Sequence, residues 1–323
     1  MSGEAEPLFQ VGPEAEGSRL DLFVGERLGL SRAKVKALIE AGAVSVDGRR
    51  AAKGVRVSPG QTVRVRTDAA PEEEPALIPD PGAPLTVLSV DDALVFMDKP
   101  AGRASHPLKP GERGTLANAL AARYPECALA SEEPREGGLC HRLDVETSGV
   151  IVAARTREAW TAVRAHFSAR AVEKQYWALV TGPLADEGEI ELPLRHHPRH
   201  ADRVEPALNP ALGGREALSH FRVIGRSGDY SLVEVQISTG VLHQVRAHLA
   251  AIGAPVVGDT LYGGRPQELL SRFFLHARTL GVPHPLHSGR VRVHSPLPPE
   301  LEDVLRVRGI SAPPGPVAGK VGA

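Results

Sequence analysis

GGLCHRLDVETSGVIVAART, residues 137–156, sets a knot of charge against a run that reads as a buried strand. His141, Arg142 and Asp144 stand close together, Thr147, Ser148 and Gly149 follow, and Val150-Ile151-Val152-Ala153-Ala154 is apolar throughout. A short continuous apolar run bounded by turn residues is the pattern of a strand covered on both faces. Charged residues at its entrance have two readings. They form an ordinary salt bridge, or they hold a carboxylate at the floor of a site.

Working outward, further strand-like runs cover 85–97, 175–181, 217–225, 230–238 and 273–282. The run 230–238 alternates, with Val233, Val235 and Ile237 on one face. Helical spacing is found over 156–169, where Trp160, Val163 and Phe167 share a face, and over 243–252, which stops at Gly253. More strand than helix, without a βαβ rhythm, predicts an α+β domain with a mixed, mainly antiparallel sheet over 85–308. The last stretch, 309–323, reads as a flexible tail.

The 323 residues carry a net charge of only −1, but the charge is unevenly placed. Residues 17–66 hold eleven Lys/Arg against four acids, and acidic segments flank them on both sides. Residues 1–16 read as a flexible acidic N-terminus and 67–84 as an acidic, Pro-rich linker. Within the basic module Ser31 is placed to cap a helix from Arg32 to Ala41, with Val35, Leu38 and Ile39 on one face and Gly42 as its stop. Short β segments follow at 44–46 and 63–66, with a turn at Asp47-Gly48 between the first and the chain that returns. A small α/β unit with Arg19, Arg32, Lys34, Lys36, Arg49, Arg64 and Arg66 turned outward suits a phosphate backbone. A merely solvated Arg-rich surface is the plainer alternative.

Absences narrow the chemistry. There is no GxxxxGK[ST], no GxGxxG after a strand, no GxSxG, no HExxH and no CxxC pair. His196, His197 and His200 have ligand-like spacing but no nearby carboxylate or Cys set, so a solvated or RNA-facing loop is expected there and no metal. Two cysteines, no basic-plus-apolar leader and no membrane-length apolar stretch lead to the expectation of a cytoplasmic monomer without a membrane partner.

Two resemblances sharpen these readings. SRLDLFVGERLGLSRAKVKALIEAGAVSVDGRR (18–50) resembles the alpha-L RNA-binding module first described in ribosomal protein S-four, through RLD at 19–21, SRxxVxxLIxxG at 31–42 and VxVxG at 44–48. HRLDVETSG before a strand resembles the signature of the RluA-type pseudouridine synthases of large-subunit ribosomal RNA. That likeness extends over most of 85–305, through LSVDDALVFMDKPAG (88–102), EKQYWALVTG (173–182), STGVLHQVRAHLAAIGAPVVGDTLYG (238–263) and FFLHARTLGVPHP (273–285). One position departs: the third of these motifs usually carries an Arg where this chain has Val241, which puts one RNA or loop contact in doubt.

What the resemblance implies is an isomerase that breaks the glycosidic bond of a uridine, turns the uracil and rejoins it through carbon 5. That chemistry needs no cofactor. It needs a carboxylate against the ribose, as nucleophile at the anomeric carbon or as base at the neighbouring carbon. Asp144 is the implied carboxylate, Arg246 the cation that keeps it ionised, and Tyr176 a stacking face with its phenol near the ring proton. Arg142 is implied to fill the gap left by the flipped base, and His141, His243 and Gln244 are expected near the substrate. Plainer readings stand beside these: a structural Asp144–Arg142 salt bridge, core packing for Tyr176 and Trp177, and helix support for His243 and His248. Lys99 reads as a turn or RNA-backbone residue, and Glu146 as pointing elsewhere. The expected partner is large-subunit ribosomal RNA, with transfer RNA as the alternative. An N-glycosylase and a catalytically silent RNA-binding factor are the readings from other classes.

Overall fold

The computed structural model describes residues 6–30, 32–67, 76–200, 202–209 and 213–313. The expected cap at Ser31, the first five residues, linker positions 68–75 and tail positions 314–323 lie outside the described residues, as does the side chain of Arg32. The chain divides into two compact units, Met1–Pro75 and Ala76–Ala323.

The first unit contains β1 (Leu8–Gln10), α1 (Leu20–Leu28), α2 (Arg32–Glu40), β2 (Val44–Val46), β3 (Arg49–Arg50) and β4 (Thr62–Val65). Its antiparallel sheet has the order β1-β4-β2-β3. Asp47 and Gly48 both take positive φ, the two-residue loop whose twist suits a hairpin between β2 and β3. Val24, Val35, Leu38, Val44, Val57, Val63 and Val65 form the core, and Arg64 faces out between two buried valines.

Two differences from the sequence reading concern its N-terminal side. Residues 8–16, expected to be flexible, are built in: Leu8 pairs with Arg64 across the sheet, and Val11 and Ala15 are buried. Pairing covers the free edge of β4, which a three-residue strand with only Phe9 packed on the core achieves without a legible apolar run. Helix α1 is hard to see in the sequence because Gly25 interrupts it and Leu22 faces solvent.

The second unit is built on nine strands: β5 (Thr86–Val90), β6 (Leu94–Lys99), β7 (Ser148–Ala154), β8 (Glu173–Thr181), β9 (Glu187–Glu191), β12 (Leu218–Ser227), β13 (Tyr230–Ile237), β14 (Leu275–Pro283) and β15 (Arg290–His294). Their order is β5-β6-β7-β14-β8-β13-β12-β9, with β15 on β14, and β10 (Leu194–His196) and β11 (Val204–Pro206) make a separate hairpin. Among the described strands β7 and β14 pair in parallel and the other pairings are antiparallel, the mixed sheet that the sequence predicts. Every residue of β7 is buried. Gly149 is required where β7 meets β14, since a Cβ there would stand 2.2 Å from the Ala277 carbonyl oxygen.

The run 85–97 is two strands rather than one. Asp91 Oδ1 accepts the N–H groups of Ala93 and Leu94 at 2.9 and 2.8 Å and turns the chain between them. The linker also ends earlier than 84, because Leu77 packs into the core and the Ile78 carbonyl accepts from Asn118 Nδ2 at 2.7 Å. Helices α4 (Arg157–Ser168) and α5 (Gln244–Ala251) lie where spacing places them. Helices α3 (Leu116–Arg123) and α6 (Pro299–Arg308) have no counterpart in the sequence reading. Six consecutive residues of α3 are buried, so it has no polar face to give a helical period, although Thr115 and Asn118 cap it reciprocally.

Candidate active site

Asp144 sits in the turn that leads into β7, where the Thr147 N–H donates to its carbonyl at 3.1 Å. The flanking backbone is held from both sides. The Ser105 hydroxyl exchanges hydrogen bonds with Leu143 N–H and carbonyl at 3.1 and 3.0 Å. Lys99 donates to the carbonyls of Pro100, Arg103 and Val145 at 2.9, 2.7 and 2.9 Å. Lys99 is wholly buried, so of its two readings the turn residue holds and the RNA-backbone residue does not: its ammonium ties the turn after β6 to the loop that carries Asp144. Burial pulls its pKa down to about 7, against the pull of Asp144.

From α5, Arg246 Nη1 donates to Asp144 Oδ2 at 3.1 Å. The same guanidinium is gripped on its other edge by Asp259, with Nε to Oδ2 at 2.6 Å and Nη2 to Oδ1 at 2.9 Å. The Phe273 ring lies 4.2 Å from its central carbon and the Tyr262 ring 5.1 Å. Burial works against the charge on Arg246, but Asp259 and Asp144 outweigh it and raise the pKa above the ordinary guanidinium value. The two carboxylates differ in access: Asp259 is closed off at 1% side-chain exposure, whereas Asp144 keeps 21%. Asp259 locks the arginine, and the arginine's remaining edge meets a carboxylate that still faces open space. Sequence reasoning missed Asp259. It lies inside the quoted stretch 238–263, but nothing in the spacing distinguishes it from an ordinary loop carboxylate.

That open space is a cavity of about 610 Å³ lined by Asp144, Arg142, Tyr176, His243 and Arg246 together with Arg164, Lys174 and Arg215. Cations outnumber the two lining carboxylates, Asp144 and Glu136. Arg142 is exposed on it, and Tyr176 presents its ring from β8 while Trp177 turns to the opposite face, under Arg278. Burial, reinforced by Asp144, pushes the Tyr176 phenol above its ordinary pKa, so it stays protonated near neutral pH.

The remaining expected residues divide. His243 holds a left-handed φ of 53° at the start of α5, its Nδ1 lies 3.1 Å from the Tyr262 hydroxyl and its Nε2 3.7 Å from Asp144. Burial lowers its pKa despite Asp144, so the ring is neutral. His141 lines the cavity, but its Nε2 accepts the Val152 N–H at 3.2 Å, and burial pushes it down to about 3. It is a wall of the site and an anchor for β7. Gln244, expected near the substrate, has its amide engaged inside the protein: its oxygen accepts from Thr239 and Val241, and its nitrogen donates to Leu218 and Ser219. Val241 packs with Leu242 and Tyr262 against Leu194, Val204, Ala217 and Ala247, so an apolar contact with the β10–β11 hairpin occupies the position where a cation was expected.

His196 reaches the cavity from that hairpin, and the His197 and His200 rings stand 4.7 Å apart at its end. Among the described residues the His–carboxylate group with metal-like spacing is a different one, Asp92, His284 and His287. Both ring nitrogens of His284 are already engaged, with Asp91 at 3.3 Å and with the N–H groups of Leu286 and His287 at 3.2 and 3.1 Å. In the first unit Lys36, Arg49 and Arg66 are exposed, Arg19 forks onto Asp21 at 2.9 and 3.0 Å, Arg64 meets Glu6 at 3.5 Å, and Lys34 is half-buried. Among the described residues no helix is long and apolar enough to cross a membrane.

Comparison with known proteins gives the family. Residues 93–251 match the family model for RNA pseudouridylate synthase, and residues 18–63 match the S4 domain. An uncharacterized RNA pseudouridine synthase of Chloroflexus aurantiacus is 41% identical over 95% of this chain and 97% of its own length. A protein of Xanthomonas campestris named ribosomal large subunit pseudouridine synthase D is 36% identical over 91% of this chain and 90% of its own. The solved structure of human RNA Pseudouridylate Synthase Domain Containing 1 superposes with a TM-score of 0.55 at 25% identity, covering 74% of this chain and all of that one. The chain, with a carboxylate-and-arginine cavity on a mixed sheet, therefore belongs to the RNA pseudouridylate synthase family.

Proposed function

We propose that this isomerase acts on large-subunit ribosomal RNA, with Asp144 as the reacting carboxylate. The observation that carries the reading is the pairing of the accessible Asp144 with an arginine that Asp259 has already fixed. A carboxylate so held is fixed in direction by Arg246 and faces the cavity with its own edge, as attack on a ribose carbon requires. Tyr176 supplies a flat face for the uracil, with a neutral hydroxyl beside it. Arg142, exposed at the rim, fills the space from which the nucleotide is drawn. Arg164 and Arg215 give the cavity the cationic lining that a phosphodiester chain needs.

The choice of RNA rests on relatives named for the ribosomal large subunit and on a first unit of the S4 type with its exposed cations. The test is to map pseudouridine in ribosomal and transfer RNA from cells lacking the gene, then restore it with the parent and with Asp144→Asn. Loss of one or more large-subunit sites, restored only by the parent, is expected. Loss confined to transfer RNA would overturn the target, and restoration by the Asn variant would overturn the role of Asp144.

A further inference from the structure

Arg272, just ahead of β14, does not line the cavity, and its side chain is only 4% exposed. Its hydrogen bonds go to the segment that follows Asp144, to the chain entering β14 and to α6, and its buried Nε has no partner. Nη1 donates to the Glu146 carbonyl at 3.0 Å and to those of Phe273 and Leu275 at 3.3 Å each. Nη2 donates to Ser148 Oγ at 3.0 Å and to Glu300 Oε1 at 2.9 Å, on the first turn of α6.

The bonds beyond Ser148 run in one direction. Its hydroxyl accepts from Arg272 and is left to donate, and His276 Nδ1 lies 2.9 Å away. The His276 proton then sits on Nε2, facing the Ser295 carbonyl at 3.3 Å. Burial pulls His276 down to about 3, so the ring is neutral and this single tautomer serves both neighbours. The segment after Asp144 is thus held at three points: the Val145 carbonyl by Lys99, the Glu146 carbonyl by Arg272, and the Ser148 hydroxyl by Arg272 and His276.

We propose that Arg272, oriented by Glu300, is a positioning residue for Asp144, setting the backbone that aims the carboxylate at Arg246 and the substrate. This rests on Asp144 being the reacting carboxylate. The link from Arg246 to Asp144 is one hydrogen bond of 3.1 Å, so a small shift of the loop separates the pair. Misplacement by about 1 Å costs on the order of a hundredfold in rate. Stability does not account for such a group by itself, because an ion pair with one half-exposed partner contributes little net stability, and burying the other partner's charge costs free energy. Helix α6, remote from the cavity lining, enters the site's geometry through Glu300.

The experiment compares Arg272→Lys, Arg272→Met and Glu300→Ala with the parent and with Asp144→Asn. Each is measured for single-turnover rate at saturating RNA, RNA affinity and thermal unfolding. Expected losses in rate are about a hundredfold for Met, about tenfold for Lys and about threefold for Glu300→Ala, with affinity within about twofold of the parent. The partial rescue by Lys and the split between rate and affinity mark positioning. Single-turnover rates within twofold of the parent for the Arg272 variants and for Glu300→Ala, with Asp144→Asn inactive, overturn the proposal, even if melting temperatures fall. An active Asp144→Asn overturns the underlying reading of the site instead. Should Arg272→Met fail to fold, Arg272→Lys and Glu300→Ala decide by the same criterion, since Glu300 is half exposed and its loss leaves no cavity.

Discussion

In the unit Met1–Pro75 the cations lie outside an apolar core, with Lys36, Arg49 and Arg66 exposed and their hydration largely intact. In the unit Ala76–Ala323 the decisive cations are inside: Lys99, Lys174, Arg246 and Arg272 are each no more than 8% exposed, and each donates to an acceptor within the protein, Lys174 to the Thr239 carbonyl. The difference follows from what a charge does in each setting. An exposed cation exchanges water and small ions for phosphate and so contributes affinity that salt weakens. A buried cation has to take its acceptors from the protein, and in return it fixes the geometry of whatever it touches. On the proposed function, affinity and chemistry fall to different residues, which variants can separate.

The largest effect is expected for Asp144→Asn. Turnover should fall by at least about a thousandfold while RNA affinity stays within about twofold, because the reacting group is removed and the phosphate-binding cations are not. Residual turnover within tenfold of the parent would break the comparison at its centre. Next comes Arg246→Ala, which leaves both Asp144 and the buried Asp259 without their shared cation. A loss of about a hundredfold in single-turnover rate is expected. If only RNA binding weakens, Arg246 belongs with the affinity residues and the division fails there.

Tyr176→Phe keeps the flat ring but removes the hydroxyl beside Asp144. Unchanged RNA affinity with turnover slowed about tenfold or more is expected, in the range of a proton-handling group. An unchanged rate would reduce Tyr176 to a stacking surface.

Removing residues 1–75 tests the other side of the comparison. The cut falls at 75 rather than at 84, because Leu77 and Ile78 belong to the second unit's packing. The truncated protein should still isomerise uridine in a short stem-loop, yet bind long structured RNA more weakly. Its plot of log affinity against log salt should be shallower by about 0.7–0.9 for each phosphate that the first unit would otherwise neutralise. An unchanged slope would show that the first unit is not an RNA-binding arm. The smallest effect is expected for Arg49→Ala or Arg66→Ala singly: about a twofold weakening, equal across RNA sequences, with no change in single-turnover rate.

Much of the candidate site's make-up was legible in the sequence because the residues that line the cavity travel in short motifs. Asp144 precedes a run that could only be a buried strand, and Tyr176 lies on a strand whose alternation turns it and Trp177 to opposite faces. The stops at Gly42 and Gly253, the Asp47-Gly48 turn and the apolar faces of α2 and α4 are local matters of backbone freedom and periodicity. Other elements escaped for equally physical reasons. Helix α3 is buried too completely to show a period, and β1 is too short to show an alternation.

What the sequence by itself determined is therefore the set of chemical groups, the mixed sheet that carries them and the uneven placement of charge. Only the tertiary structure decided how those groups are employed. Asp144 and Arg246 are 102 positions apart and Arg272 and Glu146 126, so no local pattern pairs them. Lys99 and Gln244 looked available to RNA until burial showed every donor and acceptor already engaged within the fold. The reason is that a polar side chain's role depends on whether water or protein completes its hydrogen bonds, and burial is a property of the packed chain, not of the residue.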